Sequence, residues 1–155
     1  MTSADAARIK ATEEVMRWPS ALAIGAQGVA LATAQLLAHK ILPCTPVVDI
    51  GFDIVTASGP LLKRVQVKST QIINTRRSTT FSIVKHKAGH VRGGKYVHTN
   101  TQRYKVNEVD AFIFVHATLH EFYVMPASAI DFKRHNISFT PASKWANAWD
   151  VLKQP

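Results

Sequence analysis

A continuous apolar run in the second half of the chain constrains the fold more than any other feature of the sequence. Residues 111–115 read AFIFV, without a polar or charged side chain. Such a strand suits the centre of a sheet, where both faces are covered by other layers. A second apolar run at residues 122–125 follows a short turn at Leu119 and His120 and is predicted to pair with the first. Asp110, just before the first run, is interpreted as a strand-end residue.

The remaining segments predict an α/β fold with a mixed β-sheet flanked by helices. Residues 62–69 alternate well enough to form a strand, and Ser58-Gly59-Pro60 predicts a turn before them. The other strands are predicted at 47–48, 54–55 and 80–84, with a connector at 41–45. Helices are predicted at 3–17, at 21–39, after Pro126 with Ser128 as N-cap, and in the tail at 145–152.

The length and composition of the chain fit one globular domain. We assign residues 1–20 of the 155 to an N-terminal helical extension and residues 21–155 to the domain. No apolar run approaches the roughly 20 residues that a membrane span requires, and the N-terminus does not resemble a signal peptide. Cys44 is the single cysteine, so neither an internal disulfide nor a cysteine zinc site is expected. These features predict a cytoplasmic protein that does not associate with membranes.

The positive charge of the chain is concentrated in its middle third. Between Asp53 and Glu108 there is no acidic residue, and this interval contains eleven Lys or Arg residues. The rest of the chain carries eight basic and ten acidic residues, so it is slightly negative. A concentrated block of positive charge predicts a polyanionic partner, since each neutralised phosphate releases a condensed counterion. A basic surface that serves only solubility is the alternative.

The residues predicted to contact nucleic acid lie on the strand at 62–69 and in the loops that follow it. The basic loop at residues 85–105 is interpreted as an arm that follows the DNA backbone, and a disordered surface hairpin is the alternative. His86, His90 and His98 of this loop have no cysteine partner, which disfavours a zinc site. The predicted contact residues are Arg64, Ser69, Arg76, Arg77, Lys85, Lys87, Arg92 and Lys95.

Polar side chains interrupt the predicted strand at residues 62–69. Because alternate residues of a strand face opposite sides, Gln66 and Lys68 are expected on one face. Asp53 lies on the preceding strand, and the intervening turn would bring it close to Gln66. The Asp53 carboxylate, the Gln66 amide oxygen and the Val67 carbonyl are ligands that a hard divalent cation prefers. Lys68 would then reach the attacking water or the scissile phosphate, so Asp53, Gln66 and Lys68 are the predicted catalytic residues.

This hairpin resembles the metal-binding hairpin of PD-(D/E)XK nucleases. The string GFDIVTASGPLLKRVQVKST contains a thirteen-residue step from Asp53 to Gln66 and a Gln-Val-Lys triplet followed by Ser-Thr. It is similar to the version found in small intron-encoded homing endonucleases, where Gln replaces the second acid. The segments VDAFIFV, EFYVMP and WANAWDVL are similar to the later strand pair and closing helix of that group.

The resemblance implies a restriction-endonuclease-like core and a metal-dependent endonuclease that hydrolyses phosphodiester bonds in double-stranded DNA. It also implies Mg²⁺ as the cofactor, with Mn²⁺ as a substitute. One site of this kind cuts one strand, so a homo-oligomer, either a dimer or a tetramer, is expected for a double-strand break.

The chain departs from the resembled pattern at one position. Members usually carry a Glu on the first core helix just after a Gly, and alignment on Gly28 places Val29 there. No acidic residue occurs between Glu14 and Asp49, so Asp49, an acid of the N-terminal segment (Glu13 or Glu14) or waters would have to substitute. A catalytically degenerate DNA-binding protein on the same scaffold is therefore the alternative function. A junction resolvase is a third class, which usually keeps an acid at the Gln66 position.

Overall fold

The structure is a computed structural model and describes residues 21–47, 50–72, 78–86, 90–92, 95–97, 101–105 and 107–155. The predicted N-terminal extension and Asp49 lie outside the described residues. The described chain begins with helix α1 (Ala21–Ala38), and two 3-10 turns lie near its end, at Ala127–Ala129 and Trp149–Lys153. The strands are β1 (Leu42–Cys44), β2 (Ile54–Ser58), β3 (Leu61–Thr70), β4 (Thr79–Ser82), β5 (Val84–His86), β6 (His90–Arg92), β7 (Lys95–Val97), β8 (Thr101–Arg103), β9 (Ala111–His116), β10 (Glu121–Pro126) and β11 (Asn136–Phe139).

A five-stranded mixed sheet with the order β1-β2-β3-β9-β10 forms the centre of the structure. β3 and β9 run parallel, and the other neighbouring strands of this sheet run antiparallel. β9 lies between β3 and β10, and all six of its residues are buried. The prediction of a mixed sheet around a central apolar strand is confirmed. The remaining strands form three short ladders, which pair β4 with β11, β5 with β8, and β6 with β7.

Each face of the sheet is covered by its own hydrophobic cluster. Because side chains alternate along a strand, neighbouring residues of β9 belong to different clusters. Ile113 packs in the cluster that contains Ala32 and Leu36 of α1. Phe114 packs on the other face, where its ring lies 5.2 Å from that of Phe81. Burying one such side chain contributes about 1.5–3 kcal/mol, so both layers are needed for stability.

The middle of α1 is held close to β3 at Gly28. A Cβ atom added at this position would lie 1.6 Å from the Ser69 hydroxyl oxygen and 2.7 Å from its Cβ atom. A side chain at residue 28 would therefore push the helix away from the sheet. Of the small residues expected to allow close packing, Gly28 does so, whereas Gly25 and Ala26 are exposed.

α1 is apolar around more of its surface than it buries. The expectation that no apolar run approaches the length of a membrane span is wrong for α1: its mean hydropathy is 1.6 over 18 residues, enough by length and composition alone to cross a membrane. Its buried residues are Gly28, Ala32 and Leu36, which form one face of the helix at the spacing of about one turn. In the described structure this face packs on the sheet, so α1 is the covering helix of one layer.

Two predicted elements are wrong at the β2 edge of the sheet. The expected connector at 41–45 contains β1, which pairs antiparallel with β2. Val47, the first residue of the strand predicted at 47–48, is fully exposed and lies in a bend, and Val48 lies outside the described residues. An unpaired edge strand leaves backbone donors and acceptors free, and the Leu-Pro-Cys segment satisfies part of that edge despite its weak strand signal.

The two helices predicted in the last third of the chain are also wrong. After Pro126 there is only a single 3-10 turn, and Pro126 itself, not Ser128, occupies the N-cap position. In the tail, the Trp145 carbonyl accepts a hydrogen bond from the Val124 amide at 2.9 Å, and helical structure is limited to the 3-10 turn at Trp149–Lys153. The tail backbone therefore satisfies the edge of β10, and tertiary hydrogen bonding outweighs local helix propensity.

Candidate active site

The hairpin of β2 and β3 places Asp53 beside Gln66. A two-residue turn joins the strands, and its first residue, Gly59, has φ +61°. Glycine adopts this left-handed conformation without steric cost. The Asp53 amide donates to the Val65 carbonyl at 3.1 Å, which aligns Asp53 with the beginning of β2. The expected proximity of Asp53 and Gln66 is therefore observed.

Hydrogen bonds join the three groups predicted to hold a cation. Gln66 Nε2 donates to Asp53 Oδ2 and, at 3.3 Å, to the Val67 carbonyl oxygen. The Val67 amide donates to the same Asp53 oxygen at 2.8 Å. Asp53, Gln66 and Val67 thus converge at one point, and the main chain of β3 orients the carboxylate.

The donor set fits a hard divalent cation. Asp53 and Val67 present oxygens, and the Gln66 amide that contacts both carries an oxygen and a nitrogen that exchange places when its terminal bond rotates. Among the described residues there is no cluster of three or more His, Cys, Asp or Glu side chains that could hold a metal ion. The remaining ligands would therefore be waters, several of which Mg²⁺ commonly retains.

Lys68 lies on the same face of β3 as Gln66, two residues further along the strand. Its Nζ donates to the Val84 carbonyl at 2.9 Å and lies 5.1 Å from the centre of the Tyr104 ring. Burial lowers the pKa of Lys68 to about 8; the Asp53 carboxylate acts in the opposite direction, and the ammonium of Lys85 lowers the pKa further. A lysine in this range is charged near neutral pH and exchanges its proton readily, as general acid–base chemistry requires.

These groups line one cavity of about 590 Å³ between the start of α1 and the hairpin. Asp53, Gln66 and Lys68 form its polar wall, and Lys85 and Tyr104 lie beside them. The helix wall consists of Ala21, Leu22, Gly25, Ala26 and Val29. Val29, which stands where the resembled pattern has Glu, therefore does face the site, and α1 supplies only apolar side chains to it.

Arg64, a predicted DNA contact, forms a two-point ion pair with Asp110. Arg64 Nη2 donates to Asp110 Oδ1 at 2.9 Å, and Nε donates to Oδ2 at 3.0 Å. The Arg64 main-chain amide donates to Oδ2 as well, at 2.7 Å. The side-chain hydrogen bond from Arg64 holds the pKa of Asp110 below its usual value, although partial burial opposes this. The pair joins β3 to the residue before β9, so the guanidinium already has an anionic partner.

The other predicted contact residues lie in different environments. Ser69 is on the α1 side of β3, with its hydroxyl buried against Gly28, and this position does not fit the predicted DNA contact. Lys85 lines the cavity and forms an ion pair with Glu108. Arg92 and Lys95 are opposite one another in the backbone register of the β6–β7 ladder. Three further predicted contacts lie outside the described residues: Arg76, Arg77 and Lys87.

Residue-by-residue reading of the sequence missed three residues at or near the site. Tyr104 lines the cavity beside Lys68, and Glu108 is the ion-pair partner of Lys85. Asp110, interpreted as a strand-end residue, partners Arg64. The available signal was position: Glu108 and Asp110 are the first acids after the acid-free interval, immediately before the central strand. Acids at the end of a basic block are candidates for ion pairs with it.

Comparisons with known proteins identify the family and a solved structure of similar fold. A family model described as PD-(D/E)XK endonuclease matches residues 21–152. A solved bacterial homing endonuclease, I-Ssp6803I, has a similar fold, with a TM-score of 0.69 and 19% sequence identity over 86% of this chain and 93% of that one. No curated protein sequence matches the chain. Since the family model covers most of the chain, this protein belongs to the PD-(D/E)XK endonuclease family.

Proposed function

We propose that this protein is a metal-dependent endonuclease that hydrolyses phosphodiester bonds in double-stranded DNA, with Mg²⁺ as the cofactor and Mn²⁺ as a substitute. The observation that carries the proposal is the convergence of Asp53, Gln66 and Val67 at a cavity that Lys68 also lines. The carboxylate, amide and carbonyl oxygens can hold a hard cation. The ammonium can contact the phosphate of a phosphodiester bound in the same cavity. The bacterial homing endonuclease with a similar fold supports the same assignment.

The residues of the site would divide the chemistry between them. Asp53, Gln66 and the Val67 carbonyl would hold the cation, and the Val67 amide keeps the Asp53 carboxylate oriented. A bound divalent cation supplies activation of water and stabilisation of charge on the phosphate. Lys68 would move a proton at the attacking water or stabilise the charge that develops on the scissile phosphate.

The charge of the chain supports DNA as the partner. The eleven basic residues between Asp53 and Glu108 lie within the β3 strand or after it in sequence, and Lys85 lines the cavity itself. Neutralising phosphates with such residues favours binding through counterion release. Because one cavity of this kind cuts one strand, a homodimer or tetramer would be needed for a double-strand break.

A plasmid-nicking assay tests the proposal. Wild-type protein with supercoiled plasmid and Mg²⁺ should produce nicked or linear DNA, whereas Ca²⁺ should support binding with little cutting. Lys68→Ala and Asp53→Asn should abolish cutting, and Lys68→Ala should bind the plasmid almost as well as wild type. Lys133→Ala, at an exposed position away from the cavity, is the matched control and should cut normally. Equal cutting by Lys68→Ala and wild type would refute the assignment.

A second candidate function is a DNA-binding protein that has lost catalysis. The observation in its favour is the apolar helix wall of the cavity, with Val29 in place of an acid. Val29→Glu tests it, because a carboxylate there would complete an otherwise intact ligand set. If the site is catalytic, calorimetry should show tighter Mg²⁺ or Mn²⁺ binding by Val29→Glu than by wild type. Absence of cleavage by both proteins with every metal tested, together with retained DNA binding, would favour the non-catalytic function.

A further inference from the structure

The ring of Tyr104 is firmly anchored behind the cavity. Tyr104 is 6% exposed although it lies outside any strand. Its ring packs edge-on against Phe112 at 5.1 Å between ring centres and lies 6.2 Å from that of Phe132. Phe112 is the residue of β9 that pairs with Gln66 of β3. The aromatic contact therefore fixes Tyr104 next to the part of β3 that carries Gln66 and Lys68.

Two ammonium groups meet at this ring. Lys68 Nζ lies 5.1 Å and Lys85 Nζ lies 5.0 Å from its centre. Both distances are within the range of favourable cation–π contact, and such contacts strengthen where water is excluded. The two lysines come from different strands, β3 and β5, and the ring is an element that both contact.

Separate polar groups keep the two like charges in place. Lys68 Nζ donates to the Val84 carbonyl at 2.9 Å, while Lys85 Nζ donates to the Glu108 carboxylate. The second oxygen of Glu108 accepts from the Lys105 main-chain amide at 2.8 Å, which fixes the carboxylate. Burial, and then the negative charges of Asp53 and Glu108, raise the pKa of Tyr104, so the phenol stays neutral and its ring retains the electron-rich face of a phenol.

We propose that Tyr104 is a positioning residue of the active site, whose ring fixes the Lys68 ammonium beside Asp53 and Gln66 and holds Lys85 at the same cavity as a second cation for a DNA phosphate. The inference rests on the proposed nuclease function. Lysine has a long, flexible side chain, and a carbonyl alone restrains only one direction of it. With the ring in place, the ammonium is held against an aromatic surface at the wall of the cavity.

The aromatic ring of Tyr104, more than its hydroxyl group, should hold the two ammonium groups in place. Tyr104→Phe keeps the ring and should retain cleavage within a few-fold of wild type. Tyr104→Leu keeps an apolar side chain but removes the ring, so Lys68 would lose one of its restraints. Since misplacing a catalytic group acts on the transition state, the single-turnover rate at saturating protein should fall about tenfold or more, with plasmid affinity changed much less.

Phe132→Leu is the matched control for the removal of aromatic packing. Phe132 packs on the rings of Tyr104 and Phe112, and among the described residues no lysine ammonium lies over it. This variant should therefore lose stability without a comparable loss of rate. An equal loss of rate in Phe132→Leu and Tyr104→Leu would overturn the inference, because packing alone would then explain both.

A measurement that does not depend on activity separates the inference from the proposed function. In protein labelled at lysine, ring currents should move the ε-methylene resonances of Lys68 and Lys85 upfield in wild type and Tyr104→Phe, and Tyr104→Leu should return them to ordinary values. Ordinary values in wild type would overturn the inference even if Tyr104→Leu failed to fold. If wild type cuts no DNA but the resonances behave as expected, the nuclease proposal fails while the placement of Lys68 by Tyr104 stands.

Discussion

Arg64 and Lys68 lie four residues apart on the same face of β3, and their positive charges have different partners. Arg64 donates twice from its guanidinium to the Asp110 carboxylate. Lys68 donates to the neutral Val84 carbonyl and lies over the Tyr104 ring. The first charge is neutralised by the group that it contacts, whereas the second is held by uncharged groups at the wall of a cavity.

The pKa shifts follow the same division. The hydrogen bond with Asp110 raises the pKa of Arg64, and burial lowers the pKa of Lys68 to about 8. A charge with a paired carboxylate stabilises the native state modestly, while a half-buried ammonium costs stability. Within β3, the paired charge of Arg64 therefore contributes to stability, whereas burial of the Lys68 charge beside the cavity costs stability.

The largest expected effect is a difference in cleavage rate between variants of Lys68 and of Arg64. Lys68→Ala should lower the cleavage rate about a hundredfold or more, because removal of a positioned acid–base group costs at least this much. Arg64→Ala should leave the rate per folded molecule within a few-fold of wild type. Single-turnover plasmid cleavage and thermal unfolding, measured on the same preparations, check the pair. An equal loss of cleavage rate in Arg64→Ala and Lys68→Ala would contradict the different roles assigned to the two residues.

DNA binding should depend on the basic arm more than on Arg64. Neutralising Lys85, Lys87, Arg92 and Lys95 together should flatten the log–log dependence of affinity on salt, by about 0.9 for each phosphate that the variant no longer neutralises. Arg64→Ala should change the slope less, since it removes a single charge, paired with Asp110, whereas the fourfold variant removes four charges, of which Lys85 is paired with Glu108. Fluorescence anisotropy with duplex DNA across a salt series measures both slopes. An unchanged slope in the fourfold variant would exclude the arm as the contact surface.

The cost of burying Lys68 should be visible in the pH dependence of stability. Its folded pKa, about 8, is below the ordinary value of 10.5, so the unfolded chain binds the extra proton between these two values. Stability should therefore rise as pH increases through this window, and Lys68→Met should lack that rise. At pH 7 we expect Lys68→Met to be more stable than wild type by about 1–3 kcal/mol. Chemical denaturation at pH 7 and above measures the difference in unfolding free energy between Lys68→Met and wild type. This difference should decrease with increasing pH.

The smallest expected effect concerns the Arg64–Asp110 pair. Asp110 has a folded pKa below its usual value, so its contribution to stability is complete above about pH 4 and is lost as pH falls through the folded pKa. Because both side chains are more than a third exposed, Asp110→Asn should cost only about 1 kcal/mol at pH 7. The difference between wild type and Asp110→Asn should shrink in unfolding experiments below pH 4. A difference that persists at pH 2 would mean that the pair acts through geometry and not through charge.

Local periodicity was sufficient to predict which side chains of β3 lie together beside Asp53. The alternation of β3 places Gln66 and Lys68 on one side wherever the strand packs, and the Gly59 turn brings Asp53 alongside. Residue type alone did not predict the surroundings of the other polar residues of β3. Ser69 and Arg64 are polar residues of the same strand, but a helix covers the first and a distant carboxylate pairs with the second.

The sequence by itself determined the central apolar strand, the polar hairpin and the basic middle third, because each of these depends on residues that are neighbours along the chain. Only the tertiary structure decided that Tyr104 and Lys85 join Lys68 at one cavity and that α1 offers it an apolar wall. Those contacts link β3, β5 and the segment before β9, which are close in space because the β3 and β9 strands pair in parallel. A parallel pair requires a long connection between its strands. Packing of the whole sheet determines which residues of that connection contact β3.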